Sequence, residues 1–255
     1  MKKNFNGNTY PRVKTLHNGD ILLTAATYTS GDHYLARMSR ISPNGNILWH
    51  KTFPFDEPDS WFGFAAELDD GSLVNAGNVI EYDSASNGNW ARGILTKTDA
   101  QGNLLWRRKF YTQTDHNNEF FGMISTSDSG FLMYGYAYSD SNDLQAAWVV
   151  KVDSLGCLEP GCEGSVAAPE AEATAVALNI YPNPTTDRFT VESPEAPLLG
   201  LRLIDSNGRV LDDVQFFRQY PVREYRLSLA GQPPGVYVLS VRTDKGWVGR
   251  KVVKQ

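Results

Sequence analysis

The stretch Ala100-Gln101-Gly102-Asn103-Leu104-Leu105-Trp106-Arg107-Arg108-Lys109-Phe110 echoes Pro43-Asn44-Gly45-Asn46-Ile47-Leu48-Trp49-His50-Lys51-Thr52-Phe53. Tryptophans and glycines share one offset, since 106 − 49 and 102 − 45 are both 57. A third copy starts at Trp148-Val149-Val150-Lys151-Val152-Asp153-Ser154-Leu155-Gly156, where 156 − 102 gives 54, and breaks off at Cys157. A fixed period of this size marks a supersecondary unit that buries its apolar face only against its neighbours.

Each copy has an earlier half. Asn18-Gly19-Asp20-Ile21-Leu22-Leu23-Thr24-Ala25 aligns with Asp70-Gly71-Ser72-Leu73-Val74-Asn75-Ala76-Gly77 and with Asp128-Ser129-Gly130-Phe131-Leu132-Met133-Tyr134-Gly135. The pattern is a Gly-bearing turn, a strand, and a small residue where strands crowd. Trp61-Phe62-Gly63-Phe64-Ala65-Ala66-Glu67 and Phe120-Phe121-Gly122-Met123-Ile124-Ser125 supply a strand ahead of the turn in copies two and three. The first copy shows no such opening strand.

Four short strands per unit, with Gly-marked turns, read as a propeller blade. The copies resemble repeats of secreted β-propeller proteins of the Bacteroidetes, in which strands end K-x-D-x-x-G-x-x-x-W. Lys97, Asp99, Gly102 and Trp106 carry that pattern, as do Lys151, Asp153 and Gly156; the first copy departs from it at Met38-Ser39-Arg40-Ile41-Ser42. The expectation for residues 1–156 is a partial β-propeller-like domain of about three four-stranded blades. Propellers close with four to eight blades. Three leave sheet edges bare, which points to a fragment of a longer propeller or to self-assembly.

Composition agrees with an all-β chain. It holds 22 Gly, 13 Pro, 12 Tyr, 12 Phe and 6 Trp in 255 residues, the mix of strands joined by tight turns. The net charge of −5 offers no footprint for nucleic acid. Residues 179–255 carry 11 Lys and Arg against 8 Asp and Glu, a surplus of 3, so the remainder stands at −8. No run approaches the roughly 20 apolar residues of a membrane span. Met1-Lys2-Lys3-Asn4-Phe5-Asn6-Gly7 has the basic start of a signal peptide without the apolar segment that should follow. The expectation is an N-terminally truncated sequence.

Little in residues 1–156 reads as chemistry. His17, His33, His50 and His116 are scattered and read as surface or turn residues. Asp56-Glu57-Pro58-Asp59 and Asp140-Ser141-Asn142-Asp143 match no Ca²⁺ loop and read as solvated acidic loops. No nucleophile elbow, Walker loop or dinucleotide fingerprint occurs. Phe131-Leu132-Met133-Tyr134-Gly135-Tyr136-Ala137-Tyr138 alternates like a strand buried on both faces between neighbouring blades, in preference to a carbohydrate platform. No catalytic residue, cofactor or metal site is expected.

Cys157 and Cys162 are the only cysteines. They read as a small disulfide loop or as free thiols; the spacing is not C-x-x-C, and no nearby His completes a zinc site. Residues 157–178 then run through small and acidic residues that cannot build a core, which defines a linker open to proteolysis.

From Asn179 the strands return: Arg188–Glu192, Leu201–Leu203, Tyr225–Leu229, Val236–Val241 and Trp247–Val253, with turns at Ser206-Asn207-Gly208, Pro233-Pro234-Gly235 and Asp244-Lys245-Gly246. Six or seven strands in under 80 residues suggest a small immunoglobulin-like β-sandwich over residues 179–255. Tyr181-Pro182-Asn183-Pro184 should hold an extended backbone, Gly235 should allow a sharp turn, and Tyr237 should pack in the core. Together with Asp205-Ser206-Asn207-Gly208, Gly235-Val236-Tyr237 and Lys251-x-x-Lys254, this stretch resembles the type A C-terminal sorting domain of the Bacteroidetes type IX secretion system.

The resemblance implies a secreted or cell-surface protein, and with no catalytic motif in residues 1–156 the expectation is a non-enzymatic one. Its C-terminal domain would be read by the outer-membrane translocon and removed by a sortase-like peptidase. It also favours a Cys157–Cys162 disulfide. The sorting-signal residues it marks are Tyr181, Pro182, Asn183, Pro184, Asp205, Gly208, Gly235, Tyr237, Lys251 and Lys254. The propeller-like part would be an interaction module for a surface glycan or protein. The alternative is the C-terminal piece of a larger secreted enzyme or carbohydrate-binding adhesin.

Overall fold

The structure, a computed structural model, describes residues 8–29, 31, 33–55, 57, 59–83, 88–112, 116–138, 144–158, 162 and 177–255. The loop at residues 140–143, the N-terminal residues 1–7 and nearly all of the linker lie outside the described residues. Every described element is a strand. The chain divides into two compact units, Met1–Lys109 with Gln113–Gly156, and Phe110–Thr112 with Cys157–Gln255.

In the first unit, β1 (Asn8–Thr15), β2 (Ile21–Tyr28), β3 (Tyr34–Ile41) and β4 (Ile47–Phe53) form one antiparallel meander. A second meander runs through β5 (Asp59–Glu67), β6 (Leu73–Asp83), β7 (Gly88–Thr98) and β8 (Leu104–Tyr111). The third has β9 (Asn118–Ser125), β10 (Phe131–Tyr138) and β11 (Gln145–Val152), joined to the second by one parallel pairing, Arg92 with Asn118. The first copy therefore does have its opening strand, and it is the third that has three strands among the described residues. Pro11 disguises β1 in the sequence. Proline cannot serve an interior ladder, but β1 is an edge strand.

The three opening strands share a device. Pairing slips by a bulge between Thr9 and Arg12 in β1, between Phe62 and Ala65 in β5, and opposite Tyr134 and Gly135 in β9. A bulge pushes backbone toward the neighbouring strand, which then has no room for a side chain. A Cβ on Gly77 would lie 2.2 Å from the Trp61 carbonyl oxygen, and one on Gly135 1.8 Å from that of Glu119. This accounts for the small residue repeated in β6 and β10.

The repeat motif also acquires a mechanism. Asp99 Oδ1 accepts from the amides of Gln101 and Asn103, at 2.9 and 2.8 Å, and Gly102 follows at φ +78°. Asp153 and Gly156 do the same in the third copy. In the first copy Ser42 Oγ takes the Asn46 amide at 3.0 Å, so a hydroxyl replaces the carboxylate. The basic residue of the motif reaches back to the preceding turn: Lys97 to Asp70 (3.7 Å), Lys151 to Asp128 (2.7 Å), and, in the divergent copy, Arg40 to Asp20 (2.7 Å). The departure at residues 38–42 is thus a substitution of chemistry with the geometry kept.

Successive sheets are registered by the tryptophans. Trp49 lies against Gly102, where a Cβ would meet the indole at 3.0 Å, and Trp106 lies against Gly156 at 2.8 Å. Lys51 donates to Asn103 Oδ1, and Arg108 to the Leu155 carbonyl. Each copy therefore grips the turn of the next. Leu22, Met38, Phe53, Phe62, Leu73, Val79 and Ile94 fill an apolar core. At about 25 cal/mol per Å² of apolar area, such burial is the main stabilising term.

The second unit has two sheets over one core. One is β12 (Asn179–Tyr181), β13 (Arg188–Glu192) and β16 (Glu224–Ser228); the other runs in the order β15 (Val210–Phe216), β14 (Gly200–Ile204), β17 (Gly235–Thr243), β18 (Gly246–Lys254). Phe189, Val191 and Leu227 from the first meet Leu203, Leu239, Val241 and Val252 from the second. Leu227 and Leu239 alternate with more exposed neighbours, as on strands with one buried face, whereas β13 is buried through Phe189–Val191 and β14 along its whole length.

Candidate functional site

The first and last motifs of the C-terminal unit meet. Asn183 Nδ2 donates to the Lys251 carbonyl at 2.9 Å, and Asn183 Oδ1 accepts from the Val253 amide at 2.9 Å. The Thr185 amide donates to the Val253 carbonyl at 2.8 Å, and the Gln255 amide to the Thr185 carbonyl at 2.9 Å. A primary amide offers one donor and one acceptor side, which suits it to bridging a strand in this way. The lead-in to β13 thereby runs parallel to the end of β18.

The lead-in is not the simple extended run expected. Both proline bonds, Tyr181–Pro182 and Asn183–Pro184, are cis, within reach because a tertiary amide has little trans preference. Tyr181, Pro182, Asn183, Pro184 and Lys251 are exposed around the junction. Partial desolvation, then the carboxylates of Glu224 and Glu192, push the Tyr181 phenol above its ordinary pKa. Lys254 faces the other way. Its side chain is 10% exposed, with Nζ donating to the Leu229 carbonyl at 2.7 Å and pairing with Asp187 at 3.3 Å. It fastens the last residues to the unit and presents no free charge.

The remaining marked residues are internal supports. Asp205 Oδ1 accepts from the Asn207 and Arg209 amides, both at 2.9 Å, and Gly208 takes φ +80°. Those backbone bonds, that of Arg209 first, hold the Asp205 carboxyl below its usual range. This is the turn chemistry of Asp99 and Gly102 once more. Tyr237 is buried, its hydroxyl donating to the Pro233 carbonyl at 2.5 Å. Gly235 does not make the sharp turn expected of it. It opens β17 with no atom near its absent Cβ, and the left-handed glycine of that loop is Gly231, at φ +73°.

Cys157 and Cys162 are bridged and buried. The Leu158 amide donates to Gln215 Oε1 at 2.9 Å, and Arg202 Nη2 donates to the Cys162 carbonyl at 2.7 Å while Nε and Nη2 hold Asp213 at 2.9 and 2.8 Å. The loop is thus bound to the outward side chains of β14 and β15. The sequence placed it in a linker because spacing does not reveal what a loop docks on.

Residues 179–255 match the family of the secretion system C-terminal sorting domain. The matched residues begin at the first strand of the Asn183 junction and run to Gln255, so both halves of the junction lie within the match. The comparison with curated proteins returns no match. Among solved structures, a glycoside hydrolase aligns over 99% of this chain and 76% of its own, at 10% identity and a TM-score of 0.36. A structure described as a BT0996 RGII complex aligns over 96% of this chain and 86% of its own, at 10% identity and a TM-score of 0.32.

Among the described residues of the first unit, a largely buried ionic cluster gathers around Glu57. Glu57 binds Arg107 Nη1 at 2.6 Å and Lys109 Nζ at 3.0 Å; Lys109 also reaches Glu81 at 3.3 Å, and Glu81 pairs with Arg92 at 3.3 Å. Burial alone would raise the Glu57 pKa, but the charges and hydrogen bonds of Arg107 and Lys109 outweigh it and bring it down to about 2. Glu57 is therefore not the solvated loop residue expected; Asp56 and Pro58 beside it lie outside the described residues. A carboxylate held between two cations resists protonation and makes a poor general acid. Asp59 accepts from the Tyr34 amide at 2.6 Å and acts as a turn support. Among the described residues no group of His, Cys, Asp and Glu is arranged to hold a metal ion.

Proposed function

We propose that this protein is cargo of the type IX secretion system, with residues 179–255 as the sorting signal and the first unit as a non-catalytic binding module delivered to the cell surface. The observation that carries the reading is the match of the sorting domain at residues 179–255. The translocon then meets the exposed junction of Tyr181–Pro184 with Lys251, and a sortase-like peptidase cuts ahead of it. The three meanders, of which the first and second each grip the next through a tryptophan, support reading the first unit as blades of a β-propeller. Glu57, held between Arg107 and Lys109, is not available as a general acid.

The test is export in a Bacteroidetes host, with the full chain placed behind a host signal peptide. The wild-type protein should reach the surface or medium, and a version ending at residue 178 should stay in the periplasm. Equal export of both, or export in a host lacking the translocon, overturns the proposal.

A further inference from the structure

We propose that the outward face of the third sheet binds a neutral oligosaccharide. From that face five rings form one continuous ladder that ends at Trp90 on β7. Phe121 lies 5.4 Å from Tyr136, Tyr136 6.0 Å from Tyr138, Tyr138 5.7 Å from His116, and His116 5.9 Å from Trp90. Tyr134 extends the face on β10 and is 42% exposed, while Phe121 is 53% exposed. Phe121 is the extra residue of the β9 bulge, so the distortion that crowds Gly135 also turns this ring to solvent.

The copies differ on this face. Its counterparts to Tyr134 and Tyr136 on β6 are Ala76 and Asn78, both buried. Asn78 there exchanges two hydrogen bonds with the Phe120 backbone, at 3.0 and 2.8 Å. Small residues there let the third meander approach, and in the third copy two tyrosines stand in their place. The third meander also lacks, among the described residues, the fourth strand whose tryptophan grips the next turn.

The chemistry suits a sugar. Pyranose rings present slightly positive C–H groups that sit on the negative faces of aromatic rings. Their hydroxyls need partners at the same depth, and the face offers tyrosine hydroxyls and the Glu119 carboxylate. That carboxylate accepts from the Tyr136 hydroxyl at 2.6 Å. The pair orients the ring, and the negative charge disfavours a polyuronate. The exposed rings of Phe121 and Tyr134, with hydroxyls and a carboxylate between them, fit a chain of sugars that stacks on these two rings.

This inference rests on the first unit being a binding module, and is independent of the export route. The test is electrophoresis of the full chain through native gels containing laminarin, xyloglucan or galactomannan, with polygalacturonate in parallel. At least one neutral polymer should retard the wild type, and polygalacturonate should not. Phe121→Ala and Tyr134→Ala should each weaken retardation at least about tenfold. Both side chains are exposed, so the fold should survive, and circular dichroism checks that it does. Leu48→Ala, at an exposed position on β4, should bind like wild type. Absence of retardation by every neutral polymer, or retention of it in both aromatic variants, overturns the site. So does a dimer that Tyr134→Ala dissociates, because a second copy would then cover the face. None of these outcomes bears on export, which the periplasmic assay decides separately.

Discussion

At the residue scale the glycines of this chain do different jobs that look alike in the sequence. Gly135 is fixed by overlap, its missing Cβ falling 1.8 Å from a carbonyl oxygen. Gly135→Ala should destabilise the first unit by about 3 kcal/mol, seen as a lower urea midpoint. Gly235 has open space and an ordinary φ, so Gly235→Ala should stay within about 0.5 kcal/mol of wild type in the same experiment. In the third copy the glycine falls one place late. Ser129 occupies the left-handed position, φ +63°, that Gly19 and Gly71 hold in the other copies. A side chain there costs roughly 1–2 kcal/mol, so Ser129→Gly should raise stability by about 1 kcal/mol. The sequence repeat sets Ser129 in register with Gly19 and Gly71, but which residue of the turn carries the positive φ is decided only in the folded chain.

At the element scale the recurring unit is the hairpin turn with its side-chain acceptor, and it recurs in both halves of the chain. Asp99, Asp153 and Asp205 each fold back on amides that no strand partner satisfies. These turns were legible, since the chemistry lies within five residues. The Asn183 junction was not. Its partner amide is 70 residues away, and Asn183-Pro184 reads as a turn signal whichever strand it meets. Asn183→Ala should cost about 1 kcal/mol and leave the Val253 amide unpaired. Hydrogen exchange at Val253 should quicken while that at Leu239, in the centre of β17, changes little.

At the scale of the whole molecule each unit has its own core and its own chemical weak point. Glu57 has its pKa lowered from 4.5 to about 2 on folding. Its contribution is therefore complete above pH 4.5 and lost as pH falls toward 2. The transition of the first unit should weaken over that window, and Glu57→Gln should flatten the dependence at the expense of stability at neutral pH. The second unit depends instead on its disulfide. Closing so short a loop stabilises by about 2 kcal/mol, so reductant should lower its transition at neutral pH and leave that of the first unit in place. Calorimetry across pH, with and without dithiothreitol, should separate the two; a single transition responding equally to both treatments would contradict this assignment.

Strand alternation, turn residues and the 57-residue echo are local signals, and from them the all-β class, the repeats and the resemblance of the last 77 residues to a sorting domain could be read directly. Burial is not local. Whether Tyr134 and Tyr136 lie inside a stack or on its outer face depends on whether another sheet follows, and their alternation is the same in either case. Glu57 looked like a solvated loop residue until Arg107 and Lys109, fifty residues on, enclosed it. The cysteine loop looked like linker until Arg202 and Gln215 claimed it. In each instance the chain distance between partners far exceeds the span over which side-chain pattern carries information, so only the folded arrangement could decide.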